Sequence, residues 1–121
     1  MKICITSEGD NLESTVDPRF GRCQYFIIAD TESEGFEAVK NPNMDSMGGA
    51  GIQSGQLISE KEIKVVLTGN VGPNAFSTLN AAGVKVITGI SGKVSDSIEK
   101  YKKGAFESTD GPSVGSHFGS K

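Results

Sequence analysis

Apolar positions recur with two different periods along this chain, and each change of period marks a new element. Residues 2–6 alternate, with Ile3 and Ile5 on one side and Lys2, Cys4 and Thr6 on the other, which predicts a first strand. Residues 24–30 are a dense β-forming run and residues 36–40 alternate more weakly. Only a short polar stretch separates them, so they predict an antiparallel hairpin. Val65, Val66 and Leu67 carry no charge and suit a strand buried on both faces, ending at Thr68; residues 84–87 are a fifth apolar strand. Helical spacing appears three times. Ile52, Leu57 and Ile58 predict the inner face of a helix running to about Lys61. Ala75, Phe76, Leu79 and Ala82 predict a helix that starts at Pro73 and stops at Gly83. Val94, Ile98 and Tyr101 predict a last one, ended by Gly104.

The order is therefore β-β-β-α-β-α-β-α. Each strand–helix–strand unit must cross over right-handed to a parallel neighbour, and the first three strands can form a meander. The simplest packing is a mixed five-stranded α/β sheet in order 3-2-1-4-5, strand 2 antiparallel, with helices on both faces. The order reverses between strands 1 and 4, which predicts a ligand crevice at their carboxyl ends. On this topology the loops 7–23, 41–51 and 68–74 all reach one rim. The opposite rim has only tight connections, so the long rim is where function is expected.

Composition narrows the classes. The chain has 121 residues, a formal net charge of -3 and 36% hydrophobic residues, which predicts one domain over 1–104 and argues against a general nucleic-acid binder. Residues 105–121 are dense in glycine, serine and proline and predict a flexible tail. No apolar run approaches a membrane span and no apolar h-region follows Met1-Lys2, so a cytoplasmic protein is expected. Two cysteines make no disulfide framework, and one histidine with no CxxC pair argues against a tetrahedral zinc site.

Candidate chemistry lies on the rim. Gly69 and Gly72 bracket Asn70 and predict a sharp turn with positive φ, leading into a helix start at Pro73 that attracts anions. Gly48, Gly49 and Gly51 either cradle an anion at a second helix start or serve close backbone packing. No Lys-Ser/Thr follows them, which excludes a nucleotide P-loop. Arg19 and Arg22 either grip an anion by their forked donors or are tied into the loop by Asp17; Phe20 between them reads as a plug. Asn41 opens the third rim loop. Cys23 is a soft-ligand candidate whose pKa the two arginines would lower, against a plain reading as a half-buried cysteine opening a strand. Cys4, between two isoleucines, reads as core, and His117 in the tail is a weak second metal candidate. A nuclease reading lacks gathered carboxylates, and a Ser/His/Asp hydrolase lacks a histidine in the body.

Residues 17–23 (DPRFGRC), 48–53 (GGAGIQ) and 68–76 (TGNVGPNAF) together resemble the dinitrogenase iron–molybdenum cofactor biosynthesis family, also called the nitrogenase accessory factor domain. The resemblance covers roughly residues 1–105. It implies a ribonuclease H-like three-layer fold and a non-catalytic role in binding, carrying or storing an iron–sulfur or iron–molybdenum–sulfur cluster. Cluster donor and recipient proteins would be its partners, and the chain itself a monomer or weak homodimer. This sequence departs from the best-understood carriers, which use a histidine or cysteine of the domain body as a ligand, because its body has no histidine. Two other readings stand beside it: a metal-free module for a small anionic ligand, and a partner-docking protein.

Overall fold

The computed structural model describes residues 1–33, 35–44, 49–106 and 111–112. The elements run β1 (Lys2–Ser7), β2 (Tyr25–Asp30), β3 (Phe36–Lys40), α1 (Ala50–Ser59), β4 (Ile63–Leu67), α2 (Pro73–Ala81), β5 (Lys85–Ile87) and α3 (Val94–Lys102). They build one five-stranded sheet in the order β3-β2-β1-β4-β5. β1 pairs antiparallel with β2 and parallel with β4, β2 pairs antiparallel with β3, and β4 pairs parallel with β5. This is the mixed sheet that the alternation predicts. Its strands begin slightly differently, because β4 already includes Ile63 and Lys64.

The period-two pattern divides the core into two layers. Cys4, Phe26, Ile28, Val66 and Val86 meet α1 and α2 through Ile58, Ala75 and Leu79 on one face. Ile3, Ile5, Ile27, Val65, Leu67 and Ile87 meet α3 through Val94 and Ile98 on the other. Helices thus cover both faces, and the central strands are apolar on each. Phe106, placed in the tail by composition, packs against the α3-side cluster.

α1 departs from its apolar spacing. Ile52 is exposed, and the residues turned inward are Ala50, Ser54, Gly55 and Ile58. Small residues win there because α1 lies almost against α2. A Cβ on Gly51 would sit 3.2 Å from the Ala75 Cβ, and one on Gly55 would sit 2.9 Å from the Thr78 Cγ2. A larger side chain at either glycine would push the helices apart, so small residues share the inner face with Ile58, Leu57 packs partly against it, and only Ile52 of the three expected residues turns outward. Gly49 caps α1 at φ 72°, a left-handed backbone that a glycine adopts without strain. Gly83 closes α2 in the same conformation at φ 78°, as expected for a C′ glycine.

Candidate functional site

Parallel β1, β4 and β5 end on the edge where antiparallel β2 begins, so the long loops converge there. Hydrogen bonds and close contacts hold them together. Arg19 and Asn70 form an isolated parallel bridge, the Phe20 N–H donates to the Asn70 carbonyl at 3.2 Å, and the Asn70 side-chain amide donates to the Pro18 carbonyl at 3.3 Å. Gly69 has no Cβ because Pro18 occupies the space: its Cα would be 2.6 Å away. The positive φ expected around Asn70 is absent: among the described residues the left-handed ones are Gly49, Gly83, Gly89, Gly92, Gly104 and Glu62. Gly72 caps α2 in extended backbone. The glycines of this turn serve close approach between loops rather than an unusual dihedral.

Asn41 is 1% exposed and acts as an internal tie. Its amide donates to the Gly21 carbonyl at 3.1 Å and the Cys23 carbonyl at 2.9 Å, and its carbonyl accepts the Asn43 N–H at 2.9 Å. Ser54 on α1 also donates to the Gly21 carbonyl, at 3.0 Å. A Cβ on Gly21 would lie 2.9 Å from the Gly51 nitrogen, so this loop is pressed onto the first turn of α1. Asn41 and Gly51 therefore frame the rim from beneath. Gly48 and His117 lie outside the described residues.

The two arginines do different work. One terminal nitrogen of Arg22 donates to the Met44 carbonyl at 3.2 Å, bracing the 17–23 loop against the 41–44 loop. Arg19 is anchored by its Nε, 3.4 Å from the Asp17 carboxylate, and by its backbone N–H to the same oxygen at 3.0 Å. Its two terminal nitrogens make no hydrogen bond among the described residues, and the side chain is 39% exposed. Asp17 thus ties Arg19 into the loop while leaving its fork directed away from the tie. Both α1 and α2 begin on this rim, so the first-turn N–H groups of each face it with the positive end of the helix dipole.

Cys23 differs from its expected state. It is 0% exposed and sits in one core cluster with Cys4. Burial pushes its thiol well above the ordinary range, Cys4 and Asp17 push the same way, and the hydrogen bond from Asn41 offsets only part of this. The arginines do not lower it, because the loop turns them to the surface and the cysteine to the interior. Cys4 is likewise raised by burial. Both thiols are therefore protonated in the fold at neutral pH. Above the unfolded-chain thiol pKa of about 8.5 the unfolded chain releases protons that the folded protein keeps, so stability falls with rising pH. The expected loss is about 1.4 kcal/mol per pH unit for each cysteine, read from urea midpoints between pH 8 and 10. Cys4→Ala is expected to halve that slope.

Among the described residues no three His, Cys, Asp or Glu side chains converge to hold a metal ion. The donor set on the rim consists of N–H groups and a guanidinium, which suit an anion, rather than carboxylates and thiolates that would ligate a bare cation. A cavity of about 230 Å³ lies elsewhere, between α3 and the β2–β3 hairpin, lined by Ala29, Phe36, Ile98 and Glu99 among others. Leu12 of the 7–23 loop lines it, but no residue of 17–23, 41–44 or 68–74 does. The polar residues that sequence reasoning missed are Thr6, Thr68 and Ser54, all buried. Their one signal is a hydroxyl where an apolar strand or helix face would otherwise continue.

A mixed five-stranded sheet covered by helices on both faces, with its long loops converging where the strand order reverses, defines a small α/β domain. The chain belongs to the dinitrogenase iron–molybdenum cofactor family, whose model matches residues 1–104. It is similar to the apo form of the orange protein from Desulfovibrio gigas, with 36% identity and a TM-score of 0.90 over 93% of this chain and 96% of that one. A Thermotoga protein provisionally assigned as NifB is 41% identical with a TM-score of 0.77, over 88% of this chain and 91% of that one. An uncharacterized protein of Methanocaldococcus jannaschii is 27% identical over 110 residues, covering 88% of this chain and 90% of its own length. No helix among the described residues is long and apolar enough to cross a membrane.

Proposed function

We propose that this chain is a non-catalytic accessory protein that binds and carries a preassembled, anionic iron–sulfur or iron–molybdenum–sulfur cluster, or its precursor, as cargo on the loop rim. The observation that carries this reading is Arg19: held through its Nε by Asp17, it keeps its terminal fork free for an anion beside Asn70 and the start of α2. Family membership and the likeness to a protein with an apo form support a cluster-related role. The cargo is held by hydrogen bonds and charge, with Gly49, Gly51, Gly69 and Gly72 letting backbone approach it. Cys23 is a core residue in this reading. Donor and recipient proteins exchange the cargo with a cytoplasmic monomer or weak homodimer, and the strand order with helices on both faces supports the ribonuclease H-like description of the fold.

The test is anaerobic reconstitution with iron, sulfide and molybdate, followed by gel filtration, metal and sulfide analysis and the visible spectrum. Wild type is expected to retain a coloured, sulfide-containing species. Arg19→Ala removes charge-assisted hydrogen bonds worth about 1.5–3 kcal/mol, an affinity loss of roughly 10- to 150-fold. Arg19→Lys is expected to recover only part of it, because an ammonium has no fork. Cys23→Ala, if folded, is expected to keep the spectrum. Its loss there but not in Cys4→Ala would return Cys23 to the ligand set. No metal uptake, with thermal stabilisation by a phosphate compound, would favour a metal-free anion module, and neither signal would leave a docking protein.

A further inference from the structure

Beneath Arg19 a line of buried polar groups runs from the centre of the sheet to the rim. Thr6 is the penultimate residue of β1 and Thr68 follows β4, so they flank the point where strand order reverses. Both are 0% exposed and their hydroxyl oxygens are 2.8 Å apart. The Thr6 hydroxyl is 2.7 Å from the Asp17 carbonyl, which can only accept. Thr6 therefore donates its single proton there and receives that of Thr68. The Asp17 N–H donates to the Thr6 carbonyl at 2.9 Å, closing a second link between the same two residues. Asp17 is 1% exposed, and its carboxylate meets the Arg19 N–H and Nε. Thr68 is fixed to β5 by its N–H, which donates to the Ile87 carbonyl at 3.0 Å, and it leads directly into the Gly69–Asn70 turn.

We infer that Asp17, seated by Thr6 and Thr68, is a positioning residue that holds the Arg19 fork at a fixed place relative to the 68–72 turn. The inference rests on the cluster-carrier reading for its purpose but not for its geometry. A free arginine samples many rotamers and loses them on binding; one already tied by its Nε and backbone loses fewer. The same two threonines seat both the loop with the arginine and the turn with the amides, so the spacing between the donors is set by the sheet. Such a rim favours a rigid anion of matching size over separate small ions that the protein would have to gather.

The test uses the full chain and has two independent readouts. The first is the Arg19 Nε–H resonance in nitrogen-labelled protein, which needs no cargo. Wild type is expected to show a shifted, slowly exchanging Nε–H; in Asp17→Asn its exchange is expected to quicken about tenfold, as the charge-assisted bond is lost. Thr6→Val leaves the carboxylate in place but removes its seat, and is expected to give a smaller acceleration that Thr6→Ser reverses. It also keeps the test decisive if Asp17→Asn does not fold. The second readout is affinity for the iron–molybdenum–sulfide species from reconstitution, expected to fall about tenfold in Asp17→Asn while Arg22 and the fold are unaltered. Unchanged Nε–H exchange in both Asp17→Asn and Thr6→Val would overturn the inference. Changed exchange with no cargo uptake by wild type would sustain the positioning role and defeat the carrier reading.

Discussion

Asn41→Asp is expected to destabilise the fold by about 3–5 kcal/mol at neutral pH, the usual cost of an uncompensated buried charge. The change replaces an NH2 group by an oxygen of nearly the same size, so packing is preserved and the effect is electrostatic. The Asn41 amide donates to two carbonyls, those of Gly21 and Cys23, inside a site that is 1% exposed. One oxygen of a carboxylate there would keep the Asn43 N–H, but the oxygen replacing the NH2 group would face both carbonyl oxygens with no donor and with the Cys23 sulfur 3.8 Å away. Burial and these acceptors raise the new carboxyl's pKa in the folded state above its unfolded value of about 3.9. Below that value both states are protonated, and one carboxyl proton can still serve one carbonyl, so the variant is least impaired there. As pH rises, the unfolded chain ionises first and stability falls by about 1.4 kcal/mol per unit until the folded group also ionises. Urea unfolding of wild type and variant from pH 4 to 7 measures the difference. A gap below about 1 kcal/mol that does not change with pH would show that Asn41 is not the tie described here.

Gly69→Ala is the second large effect, and it is steric. The residue is not in the left-handed region, so alanine carries no dihedral strain. Its methyl group would, however, lie 2.6 Å from the Pro18 Cα and 3.0 Å from the Pro18 carbonyl oxygen. Those are backbone atoms, and they cannot swing aside as a flexible side chain would. The 17–23 loop must lift from the 68–72 turn, stretching the bond from the Phe20 N–H to Asn70 and weakening the seat of Phe20, which is 2% exposed. Overpacking of this kind costs about 1–3 kcal/mol. Cargo affinity is expected to fall in parallel, because the lifted loop carries Arg19. Gly35→Ala is the control: nothing lies within 4 Å of its Cβ, so its unfolding midpoint is expected to stay within about 0.5 kcal/mol of wild type. Equal midpoints for the two variants would mean the loops are not pressed together at Gly69.

The sheet is legible in the sequence because its signals are local and redundant. Ile3 and Ile5 alternate against Cys4, Val65 to Leu67 is apolar on both faces, and a helix lies between each later pair of strands. Once parallel crossovers must be right-handed, few sheets remain, and the rim follows from strand direction alone. The loop motifs, Pro73 at the start of α2 and Gly83 after its end are also readable, since each reflects a backbone requirement at its own position.

What tertiary structure decided is which side of each loop residue meets what. The spacing of DPRFGRC puts two arginines and a cysteine within five residues, but it carries no period that would say which turn inward. Only the packed loop, plugged by Phe20 and tied by Asn41, sends Cys23 into the core and leaves the Arg19 fork outside. The same holds for α1, where apolar spacing favoured Ile52, Leu57 and Ile58: Ile58 and in part Leu57 turn inward, but the close approach of α2 puts small residues there in place of Ile52. It holds again for Thr6 and Thr68, which meet across 62 positions of sequence. A chain segment encodes its own dihedrals and amphipathic face, while burial, hydrogen-bond partners and proton affinity belong to pairs of segments that only folding brings together.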